Sequence, residues 1–248
     1  MHISIIPETL LHIGSFPVTN TLLTAWLVVV LVTVAAVAFR LTLRRVPGRA
    51  QAAIEGVIEG LLGFFETIGG SRETARRFFP IVATIFLFVL LSNWAGIVPG
   101  VGSVGFHEVH EGKEMFVPLF RSVYSDLNMT LALALIAVSL SHFFGVVTLG
   151  VREHVGKFIT FKSPVAAFTG VLEIVSEIAK VISFSFRLFG NIFAGEVLLT
   201  IIAFLIPYIA PLPFLGLELF VGFIQALIFA TLAMVAFSSF SVSHTEYH

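Results

Sequence analysis

From Pro164 to Ile206 the chain runs apolar with no turn signal. As one helix at ~1.5 Å per residue, this segment would measure ~65 Å, twice the ~30 Å hydrocarbon core of a bilayer. Two solutions exist. Either the segment breaks into two spans, or it is a single helix lying steeply tilted. Gly190 is the only internal break on offer, and a lone glycine is a weak one. The following PYIAPLP, Pro207 to Pro213, is a turn that leads into a second apolar run from Phe214 to about Ser241. The two runs, 164–206 and 213–241, read as a hairpin of long helices.

A chain built around such a hairpin belongs in a membrane, and its composition agrees. It is 57% hydrophobic and 12% charged, about half the charged fraction of a soluble domain. Three more apolar stretches approach the ~20 residues needed for a span: 20–39, 81–98 after Pro80, and 127–150. Residues 50–68 alternate differently. Ile54, Val57, Ile58, Leu61, Leu62 and Phe65 follow helical spacing, with Glu55, Glu59 and Glu66 opposite. That is the pattern of an interfacial amphipathic helix, which either covers the bundle or docks a neighbouring subunit. The expected fold class is all-α: one polytopic membrane domain over residues 1–248, with about five membrane helices.

Several functions are disfavoured. A net charge of -1 gives no sign of a nucleic-acid partner, and zero Cys excludes disulfides and thiolate metal sites. No G-x-x-x-x-G-K-[ST] phosphate loop is present, so no nucleotide site is expected. HEVHE at 107–111 spaces His107 and His110 three apart in a Gly-rich stretch, unlike the i, i+4 pair of a helical zinc site. No metal or cofactor is expected. The N-terminal MHISIIPETLLHIGSF has no basic n-region or small-residue cleavage site and reads as retained.

Lys and Arg set the expected orientation. Arg40, Arg44, Arg45, Arg49, Arg72, Arg76, Arg77, Arg152, Lys157 and Lys162 fall on one side, and only Lys113 and Arg121 on the other. The crowded side should be cytoplasmic, which puts the N-terminus outside and the C-terminus inside.

Two cations nevertheless lie within the hairpin, Lys180 and Arg187. A guanidinium at mid-membrane costs ~2.5 kcal/mol or more and cannot escape by losing its proton. Ser176, Lys180, Ser183, Arg187 and Asn191 recur at intervals of three and four, one face of a helix. Glu173 and Glu177 lie on or near that face at one end; Glu196 lies beyond Arg187 and looks toward another neighbour. On the second arm Glu218 and Gln225 share a face. Acidic groups thus approach a fixed positive charge from both sides, as two proton paths that must not join would require. The plainer alternative is pairing among helices for Asn191 and the serines. Arg187 has no acid within one turn on its own face, which points to a partner on another chain.

RLFGNIFAGE at 187–196 and the downstream QALIF, with LLSNWAGIVPG and SDLNMTLALAL earlier, resemble subunit a of the F-type ATP synthases. The resemblance covers nearly the whole chain. It implies a proton-translocating stator beside a rotating ring of c subunits, held by peripheral-stalk b subunits. Arg187 would engage the ring carboxylate and block short-circuiting. Asn191, Glu196, Glu218 and Gln225 match the outside half-channel; Glu173, Ser176, Glu177 and Ser183 match the inner one less strongly. The resemblance favours one tilted helix over 164–206. Relatives often carry His where this chain has Glu196 or Glu218, so an imidazole relay is not expected there. Asp126 and Asn128 read as helix caps. A bacterial inner membrane fits best, with thylakoid and mitochondrial inner membranes as alternatives. The rival classes are a secondary transporter with its site at Lys180 and Arg187, and a purely structural membrane subunit.

Overall fold

A computed structural model describes residues 7–98, 100–110, 113–158 and 163–239. Lys162, residues 240–241 of the expected last arm, and the side chains of His110 and Lys113 lie outside the described residues.

The long apolar run forms one helix, α6 (Pro164–Leu205, 42 residues). Ser163 caps it by accepting from the Ala166 N–H at 3.1 Å, and Pro164 occupies the first turn, where its missing N–H costs nothing. The helix passes through Gly190 unbroken and stops two residues before Pro207. Next comes α7 (Pro211–Ser239). The earlier helices are α1 (Asn20–Thr42), α2 (Arg49–Gly69), α3 (Arg72–Ala95), α4 (Leu127–Leu149) and the short α5 (Val151–Phe158). Five of them, α1, α3, α4, α6 and α7, are long and apolar enough to cross a membrane. The protein is an all-α polytopic membrane protein.

Two small antiparallel hairpins accompany the helices. One is β1 (Thr9–Ile13) with β2 (Phe16–Thr19), turning at Gly14, whose φ of 65° suits glycine. The other is β3 (Gly105–His110) with β4 (Lys113–Pro118), in the stretch that the sequence presents as a Gly-rich loop.

The chain divides into two compact units. The first comprises Met1–Leu43, Phe86–Thr130 and Phe186–Leu227. Its core includes Val18, Ala25, Val89, Tyr124, Leu188 and Ile192, with edge-on ring pairs Phe86–Phe223 and Phe88–Tyr124. Two polar ties fasten α3 to α7 here. Asn93 Nδ2 donates to the Gly222 carbonyl at 3.0 Å, and Trp94 Nε1 to the Leu219 carbonyl at 3.1 Å.

The second unit comprises Arg44–Ile85, Leu131–Ser185 and Ile228–His248. Phe78, Phe144 and Phe237 form its aromatic centre, with Phe184 against Phe229. Of the apolar stripe on α2, Leu62 and Phe65 are buried, whereas Ile54, Val57 and Ile58 stay exposed. Only the C-terminal half of the amphipathic helix therefore packs within its unit.

Candidate functional site

Glu8, Glu196 and Glu218 of the first unit line one cavity of about 580 Å³. Glu8, Asn93, Arg121, Ser122, Glu196 and Glu218 supply its polar lining. At its centre is a two-point ion pair: Arg121 Nε lies 3.3 Å from Glu196 Oε1, and Nη2 lies 3.4 Å from Oε2. One hydrogen bond, from Nη2, and the ionic contact at Nε hold the two groups together. Arg121 is buried, and its backbone N–H donates to Thr24 Oγ1 at 3.2 Å, which anchors the segment before α4 to α1.

Glu8 arrives from the residue just before β1. It accepts from Asn20 Nδ2 at 2.8 Å. Burial raises its carboxyl above the ordinary value, opposed by Arg121 and the Asn20 hydrogen bond, while the Glu196 charge adds to the rise. A carboxyl so placed holds its proton to a higher pH than a solvated one.

Glu218 stands on α7 against α6. Its Oε1 would lie only 2.7 Å from a Cβ built on Gly195, so the absent side chain at 195 is what lets the carboxylate reach α6. Its Oε2 is buried without a hydrogen-bond partner among the described residues. A second, smaller cavity of about 190 Å³ is lined by Asn191, Gly195 and Glu218 among others. Glu218 therefore lines both cavities, one holding Glu196 and the other Asn191, a single helical turn from Arg187. Gln225 is buried elsewhere in the unit, its Nε2 without a partner among the described residues; it lines neither cavity.

Arg187 itself is exposed on α6 and makes no hydrogen bond or ion pair among the described residues. Ser176, Ser183, Phe186, Gly190 and Ala194 are also exposed on that helix. Ser183, Phe186, Gly190 and Ala194 recur at intervals of three, four and four, so small and apolar residues flank the cation.

The second unit holds a separate polar chain. Lys180 Nζ donates to Glu177 Oε1 at 2.7 Å, and His142 Nε2 lies 3.5 Å from Glu177 Oε2. His142 Nδ1 lies 3.2 Å from His154 Nε2. Glu177 and His154 are buried. Glu173 is half-buried and Ser176 and Ser183 are exposed; none of the three shares this chain's hydrogen bonds. Lys180 is thus neutralised within its own helix.

Sequence reasoning did not single out Arg121, Glu8, His142 or His154 as site residues. The available signal for Arg121 was its place in VPLFRSVYSD, an isolated arginine among apolar residues. Asp126 does cap: its Oδ1 accepts from the Asn128 N–H at 2.8 Å, and its Oδ2 accepts from Thr21 Oγ1 at 3.1 Å.

Residues 22–238 match the ATP synthase A chain family. The chain is 30% identical over 238 residues to ATP synthase subunit a of Moorella thermoacetica, covering 96% of this chain and 98% of the relative. It is 33% identical over 228 residues to the subunit a of Campylobacter fetus, covering 92% and 91%. To that of Syntrophobacter fumaroxidans it is 38% identical over 209 residues, covering 82% and 76%.

Proposed function

Given that this chain belongs to the ATP synthase A chain family, we propose that Arg187 separates two proton half-channels that load and unload carboxylates on a ring of c subunits. The chain is the proton-translocating stator of the membrane sector, an integral membrane protein. The observation that carries the proposal is Arg187: exposed, permanently charged, and without a partner among the described residues. Its flanking stripe is narrow enough at Ser183, Gly190 and Ala194 for another helix to approach closely. A carboxylate on that helix would supply the missing countercharge.

The first path runs through the cavity of Glu8, Arg121 and Glu196, then Glu218, then Asn191. Glu218 is the carrier. Glu196, held by Arg121, sets the field around it. A proton on Glu218 then has one turn of helix to cover before it meets the ring carboxylate beside Arg187. The cation repels a passing hydronium and cannot itself relay a proton, so flow has to go around the ring. The second path begins near Glu177. Gln225 supports the first path from behind its lining, and peripheral-stalk b subunits hold the stator still.

A cysteine placed at Gly190 or Ala194 should form a disulfide with one placed beside the ring carboxylate, and the chain's own lack of Cys leaves the background clean. ATP hydrolysis by the intact complex should then stall until the bond is reduced. Absence of any cross-link at both positions would mean that this stripe faces lipid or another subunit.

Orientation is tested separately. With the N-terminus outside and the C-terminus in the cytoplasm of a bacterial inner membrane, a cysteine at Arg152 should label only from the cytoplasmic side. One at Ala210 should label only from outside. Labelling of Ala210 from the cytoplasm would reverse the assignment of the two paths.

A further inference from the structure

We propose that His142 and His154 form a two-imidazole relay that carries protons between Glu177 and the surface at α5. The proposal rests on the reading that a second path serves the ring carboxylate, and it names the groups along that path.

The geometry is a linear chain of proton-accepting atoms. Lys180 occupies Glu177 Oε1 at 2.7 Å, which leaves Oε2 to face His142 Nε2 at 3.5 Å. The opposite edge of the same ring, Nδ1, lies 3.2 Å from His154 Nε2. Each imidazole has two nitrogens and can take a proton at one while releasing one from the other. The Phe158 ring packs against both imidazoles, 5.6 Å from His142 and 5.5 Å from His154, and limits where they can turn.

Each transfer balances. The Glu177 carboxyl gives its proton to His142 Nε2 and becomes a carboxylate. His142, now imidazolium, gives the proton on Nδ1 to His154 Nε2 and becomes neutral. His154 releases the proton on its Nδ1 toward the α5 surface. Only O–H and N–H bonds are exchanged, and each ring returns its proton from Nε2 to Nδ1 by reorienting before the next cycle.

The groups around His154 favour release. It faces His142 from α4, Glu177 from α6 with Lys180 beyond it, and Lys157 from its own helix. Burial, then His142, then Lys157 lower its pKa from the ordinary histidine value, with Glu177 opposing. An imidazolium whose pKa is lowered is the stronger acid and sheds its proton readily at neutral pH.

The test uses the whole complex in inverted vesicles, with passive flux through the membrane sector measured after removal of the catalytic head. His142→Gln and His154→Gln keep a polar side chain of similar size. Each should slow flux by about a hundredfold or more, the low end of what a positioned proton-transfer group contributes. They should also remove the step in the pH profile on the α5 side. In His142→Gly and His154→Gly, added imidazole should restore part of the flux; it should do nothing for the Gln variants. Immunoblotting of the purified complex confirms that the chain is present in each.

Full flux with an unchanged pH profile in both Gln variants would overturn the relay. So would slowed flux that keeps the pH step and ignores imidazole, since that is the behaviour of a structural pin. Arg187→Ala is assayed in parallel for ATP-driven pumping by the intact complex. If it is inactive while the histidine variants conduct normally, only the relay fails; if it also pumps normally, the two-path reading fails with it.

Discussion

Arg187→Ala should abolish ATP-driven proton pumping while the chain still assembles with its partners. Two properties of the site give this outcome. The guanidinium is exposed and makes no hydrogen bond or ion pair among the described residues, so its removal leaves no described acid unpaired and no buried cavity behind. The fold should therefore survive. The function should not, because the fixed charge proposed to keep the two paths apart is gone. Arg187→Lys should fail as well. An ammonium is a point charge without the planar fork, and in a low-dielectric site it can lose its proton. Pumping in inverted vesicles, read by a pH-sensitive dye against ATP hydrolysis, is the measurement. Normal pumping by either variant would remove Arg187 from the mechanism.

The second large effect is expected at the paired acids of the first cavity. Glu218→Gln should slow passive proton flux more than Glu196→Gln, because Glu218 lines both cavities while Glu196 is committed to Arg121. An amide keeps the shape of Glu218 against Gly195 but cannot carry a proton. Glu196→Gln acts less directly: it leaves the Arg121 cation without its carboxylate and raises the positive potential around Glu218. The double variant should approach zero, with a loss smaller in free energy than the sum of the two singles, as for groups that act as a unit. Full flux in the double variant would show that these acids only support structure.

The fold was legible in the sequence where hydrophobicity alone decides it. The membrane helices announce themselves because uninterrupted apolar length has no other stable home. Their ends were less legible. The sequence suggests a start after Pro80, with the proline as an opening residue; α3 instead begins at Arg72. Ser71 Oγ accepts from the Thr74 N–H at 3.1 Å, and Gly70, at a φ of 77°, closes α2 just before it. The G-G-S-R-E-T string carried that capping signal, and Pro80 is absorbed inside the helix. The N-terminal hairpin was missed although a Gly-Ser pair separates two β-prone runs, a legitimate turn cue.

At the site, periodicity could identify Arg187 and Asn191 because they share a face with other polar residues of one helix. It could also see that Glu196 points elsewhere. It could not say to what. Arg121 is 75 positions away along the chain, and no local pattern links two such residues. His142 and His154 are hidden for the same reason: each is a single histidine in its own helix, and their proximity exists only after α4 and α5 fold back on α6.

The exposure of α6 also bears on how such a protein comes into being. Only 11% of the most apolar window of this helix is buried within the chain, against 44% for α3. Left alone in a bilayer, the stripe would offer Arg187 to acyl chains, at a cost of ~2.5 kcal/mol or more. If the proposed ring is what covers that stripe, biogenesis is coupled to stoichiometry: the newly inserted chain stays unfinished until then, and an orphan copy carries a visible mark of its incompleteness. Membrane proteases and insertases that survey helices for uncovered charge would have such a mark to read.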